Sequence, residues 1–181
     1  MASKEITEDT LVIIKPDGVK RKLVGNILSR YEAAGMKVSG IKMMLATEGI
    51  LKIHYSDDDE DYLYSIGRKS AKVGVEVGDY VEFGRMIINR MRAYMMTGPI
   101  VPIVLEGENA VQRVRSITGN TNPGEAEKGT VRGDFGDDDI TTAFRENRCL
   151  RNLVHASGTK EEAKTEIALW FDESEIYRIE F

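Results

Sequence analysis

The chain has 181 residues, enough for one domain with a real core and short for two. Hydrophobic residues make up 41% and charged residues 30%, and the formal net charge of -5 argues against binding nucleic acid or an anionic membrane through bulk charge. Cys149 is the only cysteine, which excludes an intrachain disulfide and a cysteine-rich zinc site. Met1 to Asp9 carries Lys4, Glu5, Glu8 and Asp9 and lacks an apolar run, so no signal peptide is expected there. No apolar run approaches the length of a membrane span, and the expectation is a soluble, cytoplasmic protein with no membrane partner and no specific nucleic acid.

In chain order, Thr10 to Lys15 is a short β-branched run that reads as a buried strand, ended by Pro16-Asp17-Gly18. Leu23 to Ala34 has apolar residues at helical spacing (Val24, Ile27, Leu28, Tyr31), with Gly35 as its stop. Met36 to Leu45 reads as a second strand and Glu48 to Tyr55 as a short helix. Ser56 to Asp61 is acidic and reads as surface loop, and Tyr62 to Tyr80 shows no clear period. Val81 to Met95 is helical again until Gly98-Pro99, Ile100 to Leu105 is a buried strand, and Glu108 to Ile117 is a helix. Gly119 to Gly133 is a polar loop, and Gly136 to Arg148 a polar insert without a readable structure. Leu153 to Ala156 is a short strand. Thr159 and Glu162 have capping-box spacing ahead of a helix over Lys160 to Phe171. The order allows an α+β sandwich of the split βαβ kind.

The chain has two histidines. His54 reads as a surface residue at a helix end. His155 is followed by the small residues Ala156, Ser157 and Gly158, so its ring faces open space, and a neutral imidazole can attack through one nitrogen while the other donates to a fixed acceptor. Glu166 on the following helix is a candidate acceptor. Lys15, at the end of a buried strand, can meet a phosphate as a point charge. With Arg115, Thr121, Arg132 and Asn152 it forms the set of cations and donors that phosphoryl transfer needs, although spacing alone does not show that they converge. No Gly-x-x-x-x-Gly-Lys-Ser/Thr, no Gly-x-Gly-x-x-Gly and no protein-kinase catalytic loop is present.

Taken together, the stretches resemble the nucleoside diphosphate kinase family. They are Thr10-Leu-Val-Ile-Ile-Lys-Pro-Asp-Gly-Val19, Leu23-Val-Gly25, His54-Tyr55, Gly98-Pro99, Glu106-Gly-Glu-Asn-Ala-Val111, Arg115, Gly119-Asn-Thr-Asn-Pro123, Gly129-Thr-Val-Arg-Gly-Asp-Phe135, Asn152-Leu-Val-His-Ala-Ser157, and Glu166 ahead of Leu169-Trp170-Phe171. They run in the family's order over nearly the whole chain.

The resemblance implies a ferredoxin-like βαββαβ core with an antiparallel sheet, in a single domain over residues 1–181. It also implies ping-pong transfer of a terminal phosphoryl group from a nucleoside triphosphate to a nucleoside diphosphate. His155 would be the phosphorylated nucleophile, Glu166 would fix its tautomer, and Ser157 would act through that carboxylate. Lys15, Tyr55, Arg115, Thr121 and Arg132 would contact phosphates, and Lys15 and Asn152 the sugar. Mg2+ would travel with the nucleotide rather than on protein ligands, the base would be held loosely by stacking, and the chain would form a homo-oligomer.

The chain departs from the family pattern in inserts at about 56–97 and 136–149. The first covers the base-stacking region, where Tyr62 and Tyr64 are candidates. Ala156-Ser157-Gly158 replaces the usual Gly-Ser-Asp, which removes a carboxylate and predicts weaker metal affinity. The alternatives are a degenerate nucleotide binder, which would have lost a histidine or phosphate ligand, and a regulatory protein using the sheet, which would show a basic face or exposed strand aromatics.

Overall fold

The computed structural model describes residues 7–71 and 77–178. Most of the N-terminal stretch and part of the segment without a clear period lie outside them.

Strand β1 (Thr7–Ile14) is buried on both faces, which is why its sequence is a continuous apolar run rather than an alternation. Proline at the first helical position of α1 (Pro16–Lys20) ends the strand and starts a helix where a turn was expected. Helix α2 (Val24–Ala33) leads to β2 (Lys37–Ile41), and an isolated bridge of Met44 to Ile100 continues that edge. Three helices follow: α3 (Glu48–His54), α4 (Glu60–Ala71) and α5 (Tyr80–Met95). Then come β3 (Val101–Glu108), α6 (Ala110–Thr118), α7 (Val131–Phe135), α8 (Ile140–Arg145), β4 (Val154–Ala156) and α9 (Lys160–Trp170). None of the described helices is long and apolar enough to cross a membrane.

The sheet has the order β2-β3-β1-β4 with every neighbouring pair antiparallel. This is the expected ferredoxin-like α+β arrangement. Alternation along β1 splits the core in two. Val12 and Ile14 pack with Ile27, Tyr31 and Val114 of α2 and α6, while Leu11 and Ile13 pack with Leu51, Ile88 and Trp170 of α3, α5 and α9.

Both inserts contain helices that the sequence pattern did not show. The acidic stretch expected as loop runs into α4: the Asp59 carboxylate accepts from Tyr62 N at 3.0 Å, and Glu60 and Asp61 sit in the first turn, where negative charge is favoured. The α4 pattern is faint because its packing uses an absence of side chain. A Cβ on Gly67 would lie 2.0 Å from the Tyr80 carbonyl oxygen, and one on Gly84 would lie 2.1 Å from that of Leu63, so α4 and α5 touch backbone to backbone. In the second insert Asp139 caps α8 through Thr141 N and Thr142 N, and Asp138 grips Arg148 with contacts of 2.5 and 2.8 Å.

Thr159 caps α9 as its spacing predicted, accepting from Glu162 N at 3.1 Å. The returning Glu162 carboxylate takes Gly158 N at 2.8 Å instead of the cap's own N–H.

Candidate active site

Antiparallel pairing of β1 with β4 sets Ile14 opposite Val154 and Ile13 opposite His155, so the end of β1 and the start of β4 share one edge of the sheet. Residues 137 positions apart therefore meet: Lys15 Nζ donates to Asn152 Oδ1 at 2.8 Å. The turn into β4 is strained, with Leu153 in the left-handed region at φ 69°. It is pinned on both sides, since Leu153 N donates to Asp17 Oδ2 at 3.0 Å and its carbonyl accepts Lys15 N at 2.8 Å. Tyr94 of α5 holds the other Asp17 oxygen at 2.6 Å.

Beside this edge lies a cavity of about 500 Å³ whose lining includes Lys15, Tyr55, Arg115, Thr121, Arg132, Asn152 and His155. All the predicted phosphate and sugar ligands are thus brought together with the predicted nucleophile. The exposed loop residue Thr121 is positioned from Gly119, whose φ of 84° ends α6, and from Asn152, whose Nδ2 donates to the Thr121 carbonyl at 3.0 Å.

Arg132 is buried and spans the cavity floor. Its Nε donates to Asn152 O at 3.0 Å, Nη1 to Gly119 O at 3.0 Å and Nη2 to Val154 O at 2.8 Å, leaving its remaining N–H groups for a ligand. Burial pulls the guanidinium pKa down to about 10. Burial also lowers the pKa of Lys15, and the nearby Arg132 charge adds to that. Lys15, Arg115 and Arg132 thus line a cavity with no carboxylate among its described lining residues. An anion would relieve both the desolvation and the mutual repulsion. The buried Tyr55 hydroxyl has no partner among the described residues, and burial raises its pKa. Arg92 of α5 fixes the peptide on which Tyr55 sits, donating through Nε to the Tyr55 carbonyl at 2.9 Å.

Behind the cavity stands His155, its side chain 19% exposed. Its Nε2 lies 3.0 Å from each Glu166 oxygen. Ser157 Oγ donates to Glu166 Oε2 at 2.5 Å. Burial disfavours the charged carboxylate, but the hydrogen bonds from His155 and Ser157 and the two nearby imidazoles outweigh it, so the Glu166 pKa lies below the usual carboxylate value. An ionised Glu166 accepts from Nε2–H, which leaves Nδ1 with a free lone pair.

The surface reading of His54 is wrong. It ends α3 as expected, but its ring is fully buried against α9. Nδ1 accepts from Trp170 Nε1 at 3.2 Å, and the ring centroid is 4.5 Å from that of His155. A short helix does not reveal in its own sequence which end a later helix will cover. The other missed residues, Asp17, Arg92 and Tyr94, had no signal beyond being polar groups in apolar contexts.

One atom each from His54, His155 and Glu166 lie within 4.8 Å of one another, the spacing of a metal cluster. Those atoms are occupied by bonds to one another and to Trp170 and Ser157, so the group reads as a proton-holding network rather than a cation site.

A second cavity of about 350 Å³ adjoins the first and shares Lys15, Met91, Thr121 and Asn152 with it. Its further walls come from the two inserts, with Tyr62, Phe83, Ile87, Phe144 and Cys149. Tyr62 therefore faces a ligand-sized space. Tyr64 packs on Tyr80, with centroids 5.4 Å apart.

The sequence profile of the nucleoside diphosphate kinase family matches residues 8–74 and 80–176. Nucleoside diphosphate kinase of Pyrobaculum aerophilum is 43% identical over 179 residues, covering 93% of this chain and 97% of the relative. That of Macrococcus caseolyticus is 38% identical over 169 residues, covering 93% and 91%. Among solved structures, an NDP kinase from Pyrobaculum aerophilum superposes with a TM-score of 0.90 at 39% identity, covering 96% of this chain and all of that one. The Borrelia burgdorferi nucleoside-diphosphate kinase, solved as a transition-state mimic with vanadate and ADP, superposes with a TM-score of 0.80 at 28% identity, covering 97% and 93%. With profile, sequence and fold agreeing over nearly its full length, the chain belongs to the nucleoside diphosphate kinase family.

Proposed function

We propose that this chain moves a terminal phosphoryl group between nucleotides by a ping-pong route through a phosphohistidine at His155. Family membership makes it a phosphotransferase acting between nucleotides. The observation that supports the route is the pairing of His155 Nε2 with Glu166 beside a cavity lined by Lys15, Arg115, Thr121, Arg132 and Asn152.

In the first half-reaction the Nδ1 lone pair attacks the terminal phosphorus and the bridging P–O bond breaks. The nucleoside diphosphate leaves with the electron pair. In the second half-reaction a terminal oxygen of another diphosphate attacks the same phosphorus, the N–P bond breaks, and its electrons return to Nδ1. The Nε2 proton stays on the Glu166 side throughout, so the ring gains positive character next to an ionised carboxylate. Lys15, Arg115, Arg132, Thr121 and the unpartnered Tyr55 hydroxyl would hold the phosphate oxygens, and Lys15 with Asn152 the sugar. The cavity supplies cations and neutral donors, so Mg2+ belongs on the nucleotide phosphates, where it offsets their charge. The apolar second cavity would take the base by packing, with Tyr62 in its wall in place of a single stacking ring.

The same proposal treats the chain as a single domain that works in the cytoplasm as a homo-oligomer. Exposed Ile41, Met43 and Leu45 along the β2 edge give a second copy an apolar strip to cover.

The test is intact mass after incubation with ATP and Mg2+, with His155→Ala alongside. The expected result is one acid-labile phosphoryl group, lost on adding GDP and absent in the variant. Folded, nucleotide-binding protein that gains nothing would overturn the kinase reading in favour of a degenerate binder.

A further inference from the structure

Glu166 is the acceptor on which the His155 tautomer depends, and the buried ring of His54 is a potential rival for it. His54 Nδ1 lies 3.7 Å from Glu166 Oε1. A proton on that nitrogen would point a second imidazole donor at the carboxylate and draw it away from His155. The structure blocks this. Trp170, one turn beyond Glu166 on the same face of α9, donates its indole N–H to His54 Nδ1 at 3.2 Å. A nitrogen that accepts carries no proton, so the His54 proton sits on Nε2, away from that bond. The groups facing His54 are His155 from β4, Glu166 from α9, Lys15 from the end of β1, and its neighbour Tyr55, whose ring centroid is 4.4 Å away.

We infer that His54 is a positioning residue for phosphoryl transfer: held as an acceptor by Trp170, it walls the His155 ring edge-on and leaves the Glu166 carboxylate to His155 and Ser157 alone. The inference rests on His155 being the nucleophile. The contact also ties together two distant segments, the end of α3 that leads into Tyr55 and the face of α9 that carries Glu166. His54 never touches substrate in this role, and its effect reaches the reaction through the tautomer and orientation of His155.

The experiment compares wild type, His54→Phe and His54→Asn. Phenylalanine keeps the wall and removes the acceptor. Asparagine places an amide oxygen near the position of Nδ1 and restores the acceptor. Steady-state kinetics are paired with long-range 1H–15N spectra of histidine-labelled protein, which read the tautomer directly and are simple to assign with two histidines in the chain. The expected result for His54→Phe is a kcat lower by roughly 10- to 100-fold with nucleotide KM within about two-fold of wild type, because misorientation costs rate rather than affinity. The His155 signal should also lose its single Nε2–H tautomer. His54→Asn should restore both. Wild-type rate and tautomer in His54→Phe, or an equal loss in His54→Asn, would overturn the inference. If His54→Phe does not fold, Trp170→Phe, which removes only the donor, should lower kcat in the same sense, and an unchanged kcat there would overturn it. A wild-type chain that takes up no phosphoryl group removes the reading beneath the inference. A wild-type chain that does, with His54→Phe indistinguishable from it, removes only the role of His54.

Discussion

His155 Nε2 is 3.0 Å from both oxygens of Glu166, so a single carboxylate decides which ring nitrogen carries the proton. Glu166→Gln keeps an acceptor but removes the charge and introduces an amide that can donate. We expect kcat to fall roughly 100-fold with nucleotide KM little changed, because the loss is felt as the ring gains positive character. Since the Glu166 pKa lies below the usual carboxylate value, the wild-type group stays ionised across the neutral range. Steady-state rates with the rate of phosphoryl uptake by intact mass check this, and a KM effect larger than the kcat effect would contradict it.

Arg132 and Arg115 line the same cavity with opposite structural duties. Arg132 ties three backbone carbonyls, whereas Arg115 is exposed and reaches into the cavity without a protein hydrogen bond among those found. Arg132→Lys should cost roughly 2–4 kcal/mol of stability by stranding buried carbonyls. Arg115→Ala should leave the melting temperature within about a degree and raise nucleotide KM about 10-fold. Thermal melts and kinetics on both variants separate the two roles.

How far these features could be read in advance depended on how local their causes are. Strand β1 was legible because burial on both faces writes an unbroken apolar run, and α9 because Thr159 and Glu162 announce its first turn. The site was legible only as an ordered set of family motifs. Lys15 and Asn152 meet because β1 and β4 pair, and no spacing between residues 137 apart encodes that. Helix α4 was illegible because Gly67 and Gly84 pack by lacking a side chain, which leaves no apolar period to count. His54 was misread because its burial is imposed by Trp170, a residue on another element.

Tyr55 offers a test in which affinity and stability part company. Its hydroxyl is buried without a partner among the described residues. Removing such a group should not destabilise the protein, since an unpaired buried hydroxyl costs about 1–3 kcal/mol. We therefore expect Tyr55→Phe to melt no lower than wild type while binding nucleotide about 10-fold more weakly, the loss of a charge-assisted bond to phosphate. Melting curves with and without ADP measure both quantities.

The buried ring of His54 should make the fold sensitive to mild acid. Burial first, and then the neighbouring His155, hold its pKa down to about 3 against an ordinary value near 6.5. Between those limits the unfolded chain binds a proton that the folded chain refuses, so the unfolded state is favoured as pH falls. This is the sign for a group whose folded pKa is depressed because its neutral form is the one buried. The contribution is fully present above about pH 6.5 and is lost progressively below it, by up to about 1.4 kcal/mol per pH unit. Glu166 acts in the same direction at lower pH, since its depressed pKa contributes stability that disappears as the carboxylate is protonated. Urea unfolding of wild type and His54→Asn between pH 7 and 4.5 separates the two. The variant should lose the part of the slope due to one proton across that interval and keep the later fall due to Glu166. Equal slopes would mean that His54 takes up its proton in the folded state, against the burial seen around it.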